Sequence, residues 1–146
     1  MASPYDAFIL EEDGRLTQQI LYEYLGMNLS YAPRVWHAKS AKNGLKMLAE
    51  RSYDLVIVMM RITDMDPITF GENVKKNYPD KPIILLAFDE SEISTLPQKR
   101  LKKTIDKVYI WTGNANVFPA IIKNVEDIMN IERDFKIADI RSIVMV

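Results

Sequence analysis

Few side chains in this sequence are of a type and spacing that could do chemistry, and most of those have an ordinary structural use. An acidic turn, Glu11-Glu12-Asp13-Gly14, follows the apolar run Ala7-Phe8-Ile9-Leu10. Carboxylates are oxygen ligands of the kind hard cations take. Adjacent acids on an exposed turn are more often solvated charge, and at the start of a helix the dipole favours them. A single His37, beside Trp36, cannot build an imidazole metal cluster and reads as a packing or surface residue. Cysteine is absent, which excludes disulfides, thiol nucleophiles and cysteine zinc sites. Trp111-Thr112-Gly113-Asn114 lacks the further glycines and the lysine of a phosphate loop. The basic run Lys99-Arg100 and Lys102-Lys103 reads as a solvated helix face, with contact to an acidic partner as the alternative. With no nucleophile, acid–base pair or cofactor loop in view, the chain is not expected to be an enzyme.

The elements that would position these groups belong to one domain. The chain has 146 residues, enough for a single core and too few for two independent ones. It is 48% hydrophobic and 27% charged, and 19 basic residues against 20 acidic ones leave a formal charge of −1. That balance gives no reason to expect a nucleic-acid partner or a polybasic membrane surface. Met1 to Asp6 has neither the basic segment nor the apolar run of a signal peptide, and no apolar run approaches ~18 residues. The protein therefore reads as cytoplasmic. The eight methionines read as core filling.

Apolar runs of strand length alternate with helical patterns, the signature of βαβ units. Ala7 to Leu10 is the first run, and Leu16, Ile20, Leu21, Tyr24 and Leu25 then recur at helical spacing up to Gly26. Val35 to Ala38 is a short second strand, and Ala41 to Glu50 a second helix with Leu45 and Leu48 inward. Leu55 to Met60 is almost wholly apolar, as in a central strand covered on both faces. A third helix starts at Pro67, which suits a first helical turn, and runs to about Asn77. Ile83 to Ala87 is the fourth strand, Asp89 to Lys103 an irregular fourth helix interrupted by Pro97, and Val108 to Trp111 the fifth strand. Val117, Phe118, Ile121, Ile122, Val125, Ile128 and Met129 form the stripe of a fifth helix.

This succession predicts an α/β fold, a flavodoxin-like (βα)5 doubly wound parallel sheet of order 2-1-3-4-5. In such sheets ligands bind beyond the carboxyl ends of the strands at the switch point. That rule points to Glu11, Glu12, Met59 and Ala87. A further run, Ile140 to Val146, repeats the pattern of Asp6 to Glu11, with a polar residue ahead of apolar ones. It is either an edge-added strand or tail, or the first strand of a second, similar domain. The domain boundaries are accordingly 1–132, with 133–146 as a linker and the first strand of a following domain.

Around the third strand the sequence resembles the receiver domain of two-component response regulators. The run Asp54-Leu55-Val56-Ile57-Val58-Met59-Met60-Arg61-Ile62-Thr63-Asp64-Met65-Asp66-Pro67 is similar to the family's DLVLLDIxMPxMDG, and Pro79-Asp80-Lys81-Pro82 to its PxxP. Ile9-Leu10-Glu11-Glu12-Asp13 resembles the acidic turn after its first strand, and Val35 to Leu48 its VxxAxxGxxAL segment. The likeness covers about residues 6 to 130.

Its departures fall on the chemistry. The resemblance puts the phosphoacceptor aspartate on Met59, the hydroxyl residue after strand four on Ala87 and the lysine after strand five on Trp111. Phosphoryl transfer to a receiver needs a nucleophilic carboxylate, a divalent cation and a cationic partner for the product. A thioether, a methyl and an indole supply none of these. Replacing a buried charge network by packed apolar groups is often neutral or stabilising. What survives in kind is Glu11 and Glu12, which with the carbonyl of Arg61 could hold a residual, weak Mg²⁺ site. No other cofactor is expected.

The resemblance thus implies a pseudo-receiver that cannot be phosphorylated and acts through a protein partner or as a homodimer. The family's contact surface of fourth helix, fifth strand and fifth helix falls here on Lys102, Lys103, Tyr109, Ile128 and Met129. Ile128, Met129 and Ile131 extend past the length the fold needs, as if packed on a second copy or a following domain. The alternative is a small-molecule or metal sensor using the vacated pocket near Glu11, Glu12, Met59 and Trp111.

Overall fold

The computed structural model describes residues 33–111, 117–132 and 142–145, together with Gln18 and Tyr22, both of which are helical. Five parallel strands form one sheet: β1 Arg34–His37, β2 Leu55–Met59, β3 Ile83–Ala87, β4 Lys107–Ile110 and β5 Ser142–Met145. Their order is β1-β5-β2-β3-β4. β2 and β3 are buried at every residue, which their unbroken Leu, Val and Ile content requires of strands covered on both faces. β1 and β4 form the edges and expose their end residues, among them Arg34 and Lys107. Charge at such positions discourages pairing with another sheet.

The helices are α1 Ala41–Glu50, α2 Pro67–Asn77, α3 Glu90–Ser94, α4 Gln98–Thr104 and α5 Val117–Glu132. Local caps fix where several of them begin. Ser40 Oγ accepts from Asn43 N–H (3.1 Å), Asp66 from Thr69 N–H (2.9 Å) with Pro67 opening the turn, and Asp89 from Glu92 N–H (3.0 Å). Pro97 separates α3 from α4, so the irregular segment expected over Asp89 to Lys103 resolves into two short helices. The predicted bounds of the second helix, third helix and fourth strand match the structure, and the expected second, third and fifth strands differ by a residue at their ends.

Side chains alternate across the sheet. Val56, Val58, Ile83, Leu85 and Val144 share a core with Leu48, Ile68, Phe70, Val74 and Leu101 of α1, α2 and α4. Leu55, Ile57, Met59, Ile84, Leu86, Ile143 and Met145 share the other with Phe118, Ile121, Ile122 and Val125 of α5. α2 and α4 touch closely: a Cβ at Gly71 would collide with the Thr104 methyl group. Glycine at 71 is what lets the two helices approach.

The strand order is a correction to the expected 2-1-3-4-5. The arrangement of positions is the expected one, but the central position between β1 and β2 is held by Ser142–Met145. The physical reason is that the position selects a pattern. It takes a parallel strand with apolar side chains on both faces, and Ile143, Val144 and Met145 are 1%, 0% and 2% exposed there. The segment expected as an edge strand, a tail or the first strand of a following domain is here central to the sheet. The strand expected over Ala7 to Leu10 lies outside the described residues.

Candidate functional site

The topology brings Met59, Ala87 and Trp111 to the carboxyl end of the sheet. Met59 ends β2, Ala87 ends β3, and Trp111 directly follows β4. The backbone ladder runs on past them, with Met60 N–H donating to Leu86 O (2.9 Å) and Trp111 N–H to Ala87 O (2.8 Å). All three are buried, at 3%, 1% and 4% exposure. Met59 and Trp111 belong to one apolar cluster with Met145 and Phe118. The Trp111 ring lies 5.8 Å from that of Phe88 and 6.4 Å from that of Phe118, tilted against both. Its Nε1–H is buried without a hydrogen-bond partner among the described residues.

Above this apolar floor the loops after β2 and β3 are tied by charge. The Arg61 guanidinium lies 5.2 Å from the centre of the Phe88 ring and donates from Nε to Glu92 Oε1 (3.0 Å). The other carboxylate oxygen, Glu92 Oε2, accepts from the Phe88 backbone N–H (3.0 Å). Glu92 thus satisfies a backbone donor at the strand end and a cation at once. Nearby, Asp64 reaches back to the start of α1, accepting from Ala41 N–H (2.8 Å) and Lys42 N–H (3.0 Å). Those backbone donors, Lys42 first, hold the Asp64 carboxyl below the usual carboxylate range.

Chemically, the buried floor offers a thioether, a methyl and an indole, none of which attacks phosphorus or balances a phosphoryl charge. Among the described residues no group of three His, Asp or Glu side chains could hold a metal ion. Glu11 and Glu12 lie outside the described residues, so of the expected cation ligands only Arg61 is placed, at the carboxyl end of the sheet.

Of the expected contact residues, Lys102 and Lys103 are exposed on α4, whose Leu101 and Thr104 face inward. Tyr109 on β4 is half-buried, and burial pushes its phenol pKa up. Beside it Ile110 is 39% exposed, a large apolar side chain on an edge strand that the sequence reading did not single out. Ile128 and Met129 fall within α5, and their side chains lie outside the described residues. Glu92, Phe88 and Asp64 were also missed, because Arg61 meets Glu92 and Phe88, and Asp64 meets the start of α1, across long stretches of sequence that leave no local spacing signal. A cavity of 260 Å³ opens at the opposite, amino end of the strands, lined by Leu48, Arg51, Tyr53, Tyr78 and Lys81 among others. No described helix is long and apolar enough to cross a membrane.

This architecture is that of an α/β receiver fold. No family model matches the sequence, and no curated protein matches it. Solved structures do. The receiver domain of the Francisella response regulator 1452 matches with a TM-score of 0.58 at 15% identity, over 80% of this chain and 92% of that one. A response regulator receiver domain protein from Clostridium thermocellum gives 0.60 at 19% identity, over 82% and 92%. A structure described as a novel family of redox sensors in the streptococci, evolved from two-component response regulators, gives 0.64 at 16% identity. That match takes in 88% of this chain but only 54% of the streptococcal one.

Proposed function

We propose that the chain is a receiver-like signalling module that takes no phosphoryl group, is not an enzyme, and works in the cytoplasm through protein contacts. The observation that carries this reading is Met59, at 3% exposure in an apolar cluster where the resemblance expects the nucleophilic aspartate. Ala87 and Trp111 support it, since the hydroxyl and the ammonium are replaced as well. The test is acetyl phosphate with Mg²⁺, read by intact mass. No mass gain is expected, and a stoichiometric phosphoryl adduct labile to hydroxylamine overturns the reading.

The contact surface we assign is α4, β4 and α5, with Lys102 and Lys103 beside Tyr109 and Ile110, and with Ile128 and Met129 further along α5. The pairing of exposed cations with an exposed apolar edge fits a protein partner or a second copy better than a small ligand. Mg²⁺ binding through Glu11, Glu12 and the Arg61 carbonyl would be weak, because Met59 contributes no carboxylate. A second reading, a small-molecule sensor in the vacated pocket, is favoured by one observation, the buried Trp111 Nε1–H that has no partner among the described residues. A ligand-shift melting screen tests it. The streptococcal redox sensors offer a precedent for sensing on this fold, but a chain without cysteine has no thiol for redox chemistry.

A further inference from the structure

The central strand position has one occupant in the structure and two candidates in the sequence. Ser142–Met145 fills it, paired to β1 from Arg34↔Ser142 to His37↔Met145 and to β2 from Leu55↔Ile143 to Ile57↔Met145. Ala38 N–H adds a bond to Met145 O at 2.7 Å. Ile143 and Met145 enter the α5 core and Val144 the opposite one. The position therefore asks for a polar lead residue followed by apolar side chains on both faces. Ser142-Ile143-Val144-Met145-Val146 meets that demand, and so does Asp6-Ala7-Phe8-Ile9-Leu10. We infer that the central position is an exchangeable slot, filled by Ser142–Met145 in this structure and open to Asp6–Leu10 of the same chain.

Topology permits the exchange. A parallel crossover needs about a dozen residues or more, and residues 11–33 separate the second candidate from β1. Handedness agrees. From β1 to β2 to β3 the chain steps across the sheet one way, with α1 and α2 on one face. From β4 it returns to β5 the other way, with α5 on the opposite face, as right-handed crossovers require. A step from the slot to β1 runs in that same returning direction. The helix patterned over Leu16 to Leu25 would then lie on the α5 side, and no rule is broken.

The two occupants exclude each other, because the slot is hydrogen-bonded to a neighbour on each side. It cannot stay empty either, since among the described residues β1 joins the rest of the sheet only through β5. Exchange would release one segment as the other enters. A partner that captured the released strand would shift the balance between the two states. The inference is independent of the phosphoryl reading, since it concerns the strand and not the strand-end chemistry.

The test uses the whole chain with a charge placed at matching offsets, Val144→Asp and Phe8→Asp, singly and together. Each single variant is expected to keep a cooperative melt, because the other segment takes the slot, and the double variant to lose it. In Val144→Asp, slow amide exchange should move from residues 143–145 to residues 7–10. Loss of the cooperative melt in either single variant overturns the inference, for that segment is then indispensable. A double variant that still melts cooperatively overturns it too, as does a folded Val144→Asp protein whose residues 7–10 exchange freely.

Discussion

At the amino end of the strands Asp106 accepts from Ile83 N–H (2.7 Å) and pairs with Lys75 (2.9 Å), while Asp106 N–H returns a bond to Ile83 O (2.9 Å). Tyr78 donates to Leu48 O (3.0 Å), and Lys81 Nζ donates to Tyr53 O. At the carboxyl end the floor is Met59, Ala87, Trp111 and Phe118, and the nearest ion pair, Arg61 with Glu92, lies above it on the loops. Receiver chemistry belongs at the carboxyl end of such a sheet. Side-chain bonds occur at both ends: at the carboxyl end they join loops above an apolar floor, and at the amino end they include one to the strand itself, at Ile83. The difference teaches that this fold can close the carboxyl end of its sheet with apolar packing, where buried charges would have needed partners.

The largest expected effect breaks the dry end. Met59→Asp puts a carboxyl group in a cluster with no described polar partner, at a cost of about 3 kcal/mol near neutral pH. Met59→Leu, which keeps the volume, should cost less than about 1.5 kcal/mol. Denaturant melts of the two variants give the difference directly. If Glu11 and Glu12 face position 59, the new acid sits among like charges and millimolar Mg²⁺ recovers part of the loss in Met59→Asp alone. A wild type shifted equally by Mg²⁺ would show that the alignment of β2 to the family is wrong.

The next effect falls on the wet end. Asp106→Ala removes the acceptor for Ile83 N–H and leaves Lys75 unpaired, a loss of about 2 kcal/mol. Asp106→Asn keeps an acceptor and loses only an exposed ion pair, so it should stay within about 1 kcal/mol of wild type. Equal losses in both variants would mean that charge, and not the backbone bond, holds this end.

How much of this contrast could be read from the sequence depends on how local each signal is. Asp66-Pro67 marks the start of α2, and Ile83 to Ala87 is an apolar run bounded by Pro82, so both elements were legible to the residue. That Met59, Ala87 and Trp111 converge was legible as well, once the strands were placed in a doubly wound sheet. Pairing between distant segments carries no local signal. Asp64 capping α1 and Glu92 pairing with Arg61 were invisible for that reason. The central strand failed differently. Two segments carry the same pattern, and a pattern specifies what a slot accepts without saying which segment arrives.

A smaller effect, at the carboxyl end, is read through pH. Asp64 is held below the usual carboxylate range by the Lys42 and Ala41 backbone donors, so the folded state favours its charged form. Its contribution is present above the unfolded carboxyl pKa of about 4 and is lost as pH falls through the lower folded value. Asp64→Ala should lose about 1 kcal/mol at pH 7, the scale of a helix cap, and much less at pH 2. Melting curves at the two pH values check the sign. A loss that stays constant down to pH 2 would mean that Asp64 acts by packing instead.

The smallest expected effect is the sharpest probe of the contrast. Trp111→Phe removes the buried Nε1–H and part of the indole. An unsatisfied buried donor costs about 1–3 kcal/mol, so its removal is stabilising. The space left by the smaller ring costs in proportion to its volume, about 24 cal/mol per Å³, which opposes that gain. The two terms are of similar size, and the net change should lie within about 1 kcal/mol of zero. Were Nε1–H bonded, the substitution would orphan an acceptor and add the cavity cost, for a loss above about 2 kcal/mol. Phe118→Leu, in the same cluster but with no polar atom, calibrates the cavity cost alone. A Trp111→Phe loss larger than that of Phe118→Leu would show that the indole N–H has a partner, and that the carboxyl end is not dry.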